Sequence, residues 1–222
     1  MPNVIAVDGP AGSGKSTVAK EVAKRLKFLY IDTGAMYRAL TLKAIETRVD
    51  FKDEKALVGL SENTDIELRD SEGSLKVYLD KKDVSREIRT MDVTKRVKNL
   101  AALKDVRINM VKLQRKMGEA TPGAVLEGRD IGTVVFPDAA YKFYLDASFK
   151  TRVQRRFDEL KEKGMNTPWK EVEDDLRDRD RADMTRAVGP LKKAPDSIVV
   201  DTTKMTIEDA VSEILNTVGA KL

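Results

Sequence analysis

Val4-Ile5-Ala6-Val7 is a continuous apolar run that stops at Asp8, and three glycines fall in the segment that follows, Gly9-Pro10-Ala11-Gly12-Ser13-Gly14-Lys15-Ser16. A short uninterrupted apolar run reads as a strand covered on both faces, the kind from which parallel sheets are built. Past the loop, Val18, Val22 and Leu26 repeat at helical spacing, with Ala19 and Ala23 beside them. Strand, glycine loop and helix in that order satisfy G-x-x-x-x-G-K-[ST] in the setting the motif requires. The spacing has a mechanical cause. Glycines let the backbone curl until consecutive N–H groups face one anion, and the following helix turns its positive end toward the same point. Lys15 then reaches the β- and γ-phosphates of a nucleoside triphosphate, and the Ser16 hydroxyl can ligate Mg²⁺. The expected triphosphate loop runs from Gly9 through Ser16 to Thr17.

The rest of the chain repeats the strand–helix rhythm. Residues 28–31 read as a second short strand and residues 34–48 as a helix. Three further apolar runs, 124–126, 141–145 and 198–200, each precede polar turn chemistry and a helical pattern. Alternating strands and helices predict an α/β fold with a parallel sheet flanked by helices. Between the second and third strands the rhythm changes. Ile66 and Leu68, then Leu75, Val77 and Leu79, alternate with polar residues around Asp70-Ser71-Glu72-Gly73-Ser74. That pattern predicts a β-hairpin with one solvated face, set in an insert over about residues 60–99. Residues 101–117 read as one helix returning to the main sheet.

Two absences narrow the chemistry. In 222 residues there is no histidine and no cysteine. Ser-His-Asp and Cys-His catalysis, thiolate nucleophiles and His/Cys zinc sites are therefore excluded. What remains is carboxylates, cations, hydroxyls and backbone N–H groups. The 41 Lys and Arg against 37 Asp and Glu leave a net charge of only +4, spread in both signs, and aromatics are 5%. A nucleic-acid binder would more often cluster its basic residues and interleave stacking aromatics; an anionic small molecule suits this balance at least as well. The apolar run at residues 4–7 is too short for a signal sequence and no window resembles a membrane span, so a cytoplasmic protein is expected.

Charged residues at three other places stand out. Thr33-Gly34-Ala35-Met36-Tyr37-Arg38 follows the second strand; Thr33 reads as a helix N-cap, and Arg38 in the first turns faces the unfavourable end of the helix dipole unless an anion sits there. Glu127-Gly128-Arg129-Asp130 follows the third strand, at the sheet edge that carries the glycine loop, where ligands of such sheets bind. Trp169, Val172 and Leu176 form an inward stripe that continues onto Arg179 and Asp183, with Arg186 next, whereas Glu173 and Arg177 form a surface pair. An earlier helix with Val153, Phe157 and Leu160 on one stripe carries Arg152, Arg155 and Arg156. The two helices, joined near Gly164 and Pro168, suit a closing cap that excludes water during phosphoryl transfer.

Taken together, VDGPAGSGKST (7–17), DTGAMYRAL (32–40), EIRT (87–90), GRDIGTVVFPDA (128–139), RAVGPL (186–191) and VDTT (200–203) resemble the bacterial cytidylate kinase family, P-loop nucleoside monophosphate kinases, over nearly the whole chain. The resemblance implies transfer of a phosphoryl group from ATP to CMP or dCMP with Mg²⁺ as cofactor, and a monomer without nucleic-acid or membrane partners. It implies the P-loop NMP-kinase fold, with a five-stranded parallel sheet, an antiparallel β insert and a helical lid. The core would comprise residues 1–32, 100–150 and 190–222, the monophosphate-binding region 33–99 and the lid 151–189. Thr33, Arg38, Arg129, Arg179 and Arg186 would surround the acceptor nucleotide and Tyr37 would pack on it. Arg107 and Asp130 would read the cytosine, and Asp183 the sugar. Lys15, Arg129, Arg179 and Arg186 would be catalytic. Two positions depart from the family pattern. Lys98 replaces the usual serine near the base, and Glu127 replaces the usual aspartate, which bears on a water-mediated contact to Mg²⁺. The alternatives are another monophosphate kinase on the same scaffold, acting on UMP or dTMP, and a nucleic-acid-binding P-loop module. A GTPase switch lacks support, since N-K-x-D is absent and the D-x-x-G match at residues 70–73 lies in the polar hairpin.

Overall fold

A computed structural model describes residues 3–71 and 74–219. Five strands, β1 (Asn3–Asp8), β2 (Leu29–Asp32), β6 (Gly123–Gly128), β7 (Tyr141–Asp146) and β8 (Ile198–Asp201), form a sheet in the order β2-β6-β1-β7-β8. Every neighbouring pair is parallel. The central strand β1 shows how the sequence makes two cores. Ile5 and Val7 point to one face and meet Val18, Ala19 and Val22 of α1 (Lys15–Leu26) and Ala210, Val211 and Ile214 of α8 (Ile207–Gly219). Val4 and Ala6 point to the other and meet α2 (Thr33–Glu46) and the helices that follow. Alternation along one strand thus apportions side chains between two buried layers.

The insert holds a second, antiparallel sheet of β3 (Ile66–Ser71), β4 (Ser74–Leu79) and β5 (Lys82–Asp83). Ile66 pairs with Leu79 and Leu68 with Val77, so one face packs Ile66, Val77 and Leu79 into the core beneath α2. The hairpin's turn at Glu72 and Gly73 lies outside the described residues. Between α2 and β3 runs α3 (Glu54–Asn63), which packs on the same core.

Two local expectations are corrected. The helix read over 101–117 is two helices, α4 (Met91–Ala102) and α5 (Lys104–Glu119), parted at Leu103, whose backbone is extended at φ −77°, ψ 122°. The core-facing apolar positions explain the break: they slip by one residue, from the 93–97–100 series to 106–110, which a straight helix cannot present to one core. Trp169, read as an inward anchor, is the first residue of α7 (Trp169–Thr185), with no preceding turn beneath it. It remains 37% exposed and leans on Phe157 with ring centroids 5.5 Å apart. Val172 and Leu176 are buried as the stripe predicts.

The helices α6 (Phe149–Glu162) and α7 form a hairpin with its own apolar seam of Val153, Leu160, Val172 and Leu176. Ala11 of the glycine loop belongs to that seam. Arg152 reinforces the junction, donating from Nη1 to the Ala11 carbonyl at 3.0 Å and to Asp180 Oδ2 at 2.6 Å. No helix among the described residues is long and apolar enough to cross a membrane.

Candidate active site

The carboxyl ends of β1, β2 and β6 open into a cleft of about 970 Å³ between the glycine loop, α2, α4 and the α6–α7 hairpin. The loop itself forms one end. Gly9, at φ +153°, lies so close to β7 that a Cβ would sit 2.0 Å from the Leu145 carbonyl oxygen, so no other residue fits there. Gly9 and Pro10 shape the loop from behind, whereas residues 11–17 line the cleft. Lys15 is buried and donates from Nζ to the Pro10 carbonyl at 3.2 Å, with Glu127 Oε2 3.9 Å away. Burial, and then repulsion from Arg129, pulls its pKa down to about 8. A lysine held this way is ready to exchange a weak carbonyl contact for a phosphate oxygen.

Opposite lies a chain of ion pairs. Arg129 Nε donates to Asp183 Oδ2 at 2.7 Å. Asp183 Oδ1 lies 3.5 Å from Arg186 Nη1, and Arg186 Nη2 lies 3.5 Å from Asp130 Oδ1. Asp130 closes the chain on Arg107, which is itself buried over the Tyr37 ring, 5.5 Å from its centroid. Burial opposes the charge on Asp183, yet Arg129, Arg186 and Arg179 outweigh it and hold its carboxyl below the usual range. Gly189 covers the far end; at φ +57°, a Cβ there would fall 2.1 Å from Asp130 Oδ2.

Between the two ends is a surplus of positive charge. Arg38 donates from Nη1 to Thr94 Oγ1 of α4 at 2.8 Å. Burial, and then repulsion chiefly from Arg179, lowers its pKa to about 10, with Arg89 and Arg156 adding to that repulsion. Arg179 is depressed in turn by burial and by Arg129. Arg179 keeps only a 3.7 Å contact to Asp175 and Arg156 is paired with Glu159, so the positive charge gathered around Arg38 is only partly offset, which suits the place to an anion.

The sequence suggested Thr33 as the N-cap of α2, but the cap is Asp32. Asp32 caps α2 by accepting the Ala35 N–H at 2.8 Å, while Thr33 Oγ1 donates to the Glu127 carbonyl at 2.7 Å and ties α2 to β6. Of the residues singled out by sequence, Lys15, Ser16, Thr17, Thr33, Tyr37, Arg38, Arg107, Glu127, Arg129, Asp130, Arg179, Asp183 and Arg186 all line this one cleft, and so does Lys98. Arg89, Arg155 and Arg156 line it too; the sequence put Arg155 and Arg156 on the cap helix and Arg89 in the EIRT segment without giving any of them a role at the site. Arg89 sits in a short turn, residues 87–89, which carries no periodic signal. Arg155 and Arg156 follow Arg152 on α6, so their arginine content was legible but their direction was not. Arg155 reaches Thr202, donating to its carbonyl at 2.6 Å.

The chemistry of the donor set fits a magnesium ion. Ser16 opens onto the cleft, and burial together with the negative charge of Glu127 raises the pKa of Asp32. Two carboxylates that repel from adjacent strand ends, beside a hydroxyl, are hard oxygen donors which a small divalent cation would relieve. No group of three or more acidic side chains able to hold a metal alone occurs among the described residues. Phosphate oxygens and water would complete such a shell, as is usual for this ion.

A loop that cradles phosphate with its backbone, at the edge of a parallel sheet and facing a cluster of arginines under a helical hairpin, defines a P-loop kinase. A gluconokinase of Sinorhizobium meliloti 1021 shares the fold at a TM-score of 0.52 and 14% identity, covering 99% of this chain and 93% of that one. The cytidylate kinase family model matches residues 5–220. A cytidylate kinase of Clostridioides difficile strain 630 is 49% identical over 97% of this chain and 98% of its own length. Another, of Lactobacillus gasseri, is 47% identical over 98% and 94%. The chain belongs to the cytidylate kinase family.

Proposed function

We propose that the protein transfers the γ-phosphoryl group of ATP to CMP or dCMP, giving ADP and CDP or dCDP. The observation that carries this reading is the separation of the cleft into two anion-binding ends, Lys15 with the loop N–H groups at one and Arg38, Arg129 and Arg179 at the other. The acceptor is a phosphate monoester whose second pKa lies near 6, so at neutral pH it is already mostly a dianion and needs no general base. A chain without histidine loses nothing by this. What remains is alignment and neutralisation of a loose, in-line transition state. Lys15 reaches from behind the transferred group, Arg179 and Arg186 reach over it from α7, and Arg38 and Arg129 suppress repulsion between two polyanions. Ser16, with Glu127 nearby, would hold Mg²⁺, which would supply charge neutralisation on the triphosphate.

The base end follows from hydrogen-bond polarity. Cytosine offers acceptors at O2 and N3 and a donor at N4. A guanidinium and a carboxylate side by side, Arg107 and Asp130, answer both kinds of group. Uracil reverses the polarity at N3 and at position 4, which would leave buried groups unpaired. Tyr37 packs against the nucleotide, Thr33 borders its phosphate and Asp183 faces the sugar. In this reading residues 33–99 bind the monophosphate, 151–189 close as a lid, and the enzyme is a cytoplasmic monomer. The deciding experiment is a panel of CMP, dCMP, UMP, dTMP and AMP at sub-saturating concentration with ATP and Mg²⁺. CMP or dCMP should exceed UMP by about 10²-fold or more in kcat/KM; UMP turned over as fast as CMP would overturn the base assignment.

A further inference from the structure

Asp8 ends the central strand and immediately precedes the phosphate loop. It is 5% exposed, and both its oxygens are taken by main-chain groups. Oδ1 accepts the Ile131 N–H at 2.8 Å and Oδ2 the Gly132 N–H at 2.8 Å. Those are the two residues directly after Arg129 and Asp130. They open a wide turn in which Val135 N–H and Phe136 N–H bond back to the carbonyls of Asp130 and Ile131. The backbone on which both acceptor-facing side chains ride is therefore held by one carboxylate.

Burying that carboxylate is costly. Desolvation dominates and raises its pKa to about 6, while the two N–H groups pull it back down. A fold that needed only a filled space or a single hydrogen bond at this point could use a neutral side chain at lower cost. A carboxylate accepts two charge-assisted bonds from neighbouring amides, which fixes a peptide segment in position and orientation together. One end of this brace is the residue before Gly9, and the other is the turn bearing Arg129 and Asp130.

We infer that Asp8 is a positioning residue for phosphoryl transfer: it sets the distance and angle between the donor loop and the arginine turn that grips the acceptor. The inference rests on the kinase reading above, and it extends that reading to a side chain that touches neither substrate.

The test is a double-mutant cycle in steady-state kinetics, with wild type, Asp8→Asn, Arg129→Ala and the double variant. Asparagine keeps one acceptor oxygen and turns an amide NH₂ toward the second N–H, so the turn loses half its hold. Asp8→Asn should lower kcat/KM for CMP about 10-fold or more while the KM for ATP stays within about twofold. In the Arg129→Ala background the same substitution should cost clearly less, by about threefold or more, because one of the two side chains it positions is gone and only Asp130 remains. Asp8→Glu, which keeps charge and both acceptors but pushes the turn outward, is the second variant should Asp8→Asn not fold. It should reproduce the selective loss with CMP, again to a greater extent when Arg129 is present. Equal losses in both backgrounds, or a parallel rise in the KM for ATP, would overturn the inference and leave Asp8 a support of the fold alone. A wild-type enzyme inactive on CMP would instead remove the kinase reading itself.

Discussion

The two ends of the cleft present positive charge by different means. The donor end is built from consecutive residues, and its charge reading comes from backbone N–H groups plus one lysine. The acceptor end is built from side chains on α2, α5, the turn after β6, and α7. Its members hold one another through Arg129–Asp183, Arg186–Asp130 and Arg107–Asp130 pairs before any ligand arrives. A backbone cradle is rigid and indifferent to what the phosphate is attached to. A network of ion pairs can be re-partnered by a ligand, so selectivity resides where the cost of unpairing is greatest.

The sharpest way to break this contrast is Lys15→Ala. It should lower turnover by about 10³-fold, because Lys15 is the cation the loop itself holds at the developing charge, while the neighbouring Arg129 and Arg155 are engaged by Asp183 and Thr202. Arg186→Ala should also act mainly on turnover, read in single-turnover assays with both substrates saturating. A smaller effect is expected from Arg38→Ala, which removes one of several cations around the acceptor. The KM for CMP should rise about 10- to 100-fold with kcat altered far less. A loss confined to kcat would place Arg38 at the transferred group instead.

The smallest effect concerns pH. With the free enzyme's Lys15 at about 8, ATP binding measured by calorimetry should weaken as pH rises from 7 to 9 and take up a proton above 8. Lys15→Arg should remove that dependence. Stability moves the other way. An unfolded lysine titrates near 10.5, so between about 8 and 10.5 unfolding takes up a proton, and Lys15 favours the folded chain increasingly as pH rises.

The same contrast governs what could be read from sequence. The donor loop was legible because its glycines, lysine and flanking apolar runs lie within one contiguous segment, and the parallel sheet was legible from the continuous apolar runs. On α7, helical spacing carried Arg179 and Asp183 to the correct face, since Val172 and Leu176 define that face locally. Arg89, in a three-residue turn, has no such local reference and enters the cleft only because the insert is folded against α2, which is tertiary information. Arg156 borders the stripe of Val153, Phe157 and Leu160, but which rim of α6 meets the cleft is decided by its packing on α7 and the glycine loop. The capping of α2 by Asp32 in place of Thr33 and the break at Leu103 escape the sequence for a related reason: both are decided by what β6 and the core present, and not by the residues' own preferences.

Ala11's methyl lies in the seam of α6 and α7 while its carbonyl takes the Arg152 guanidinium. The helical hairpin thus shares a packing surface with the glycine loop at its base, while its far end around Gly164 and Pro168 lies away from that anchor. A change in the shape of the loop at Ala11 would be felt at once at the root of both helices, and least damped at their tip.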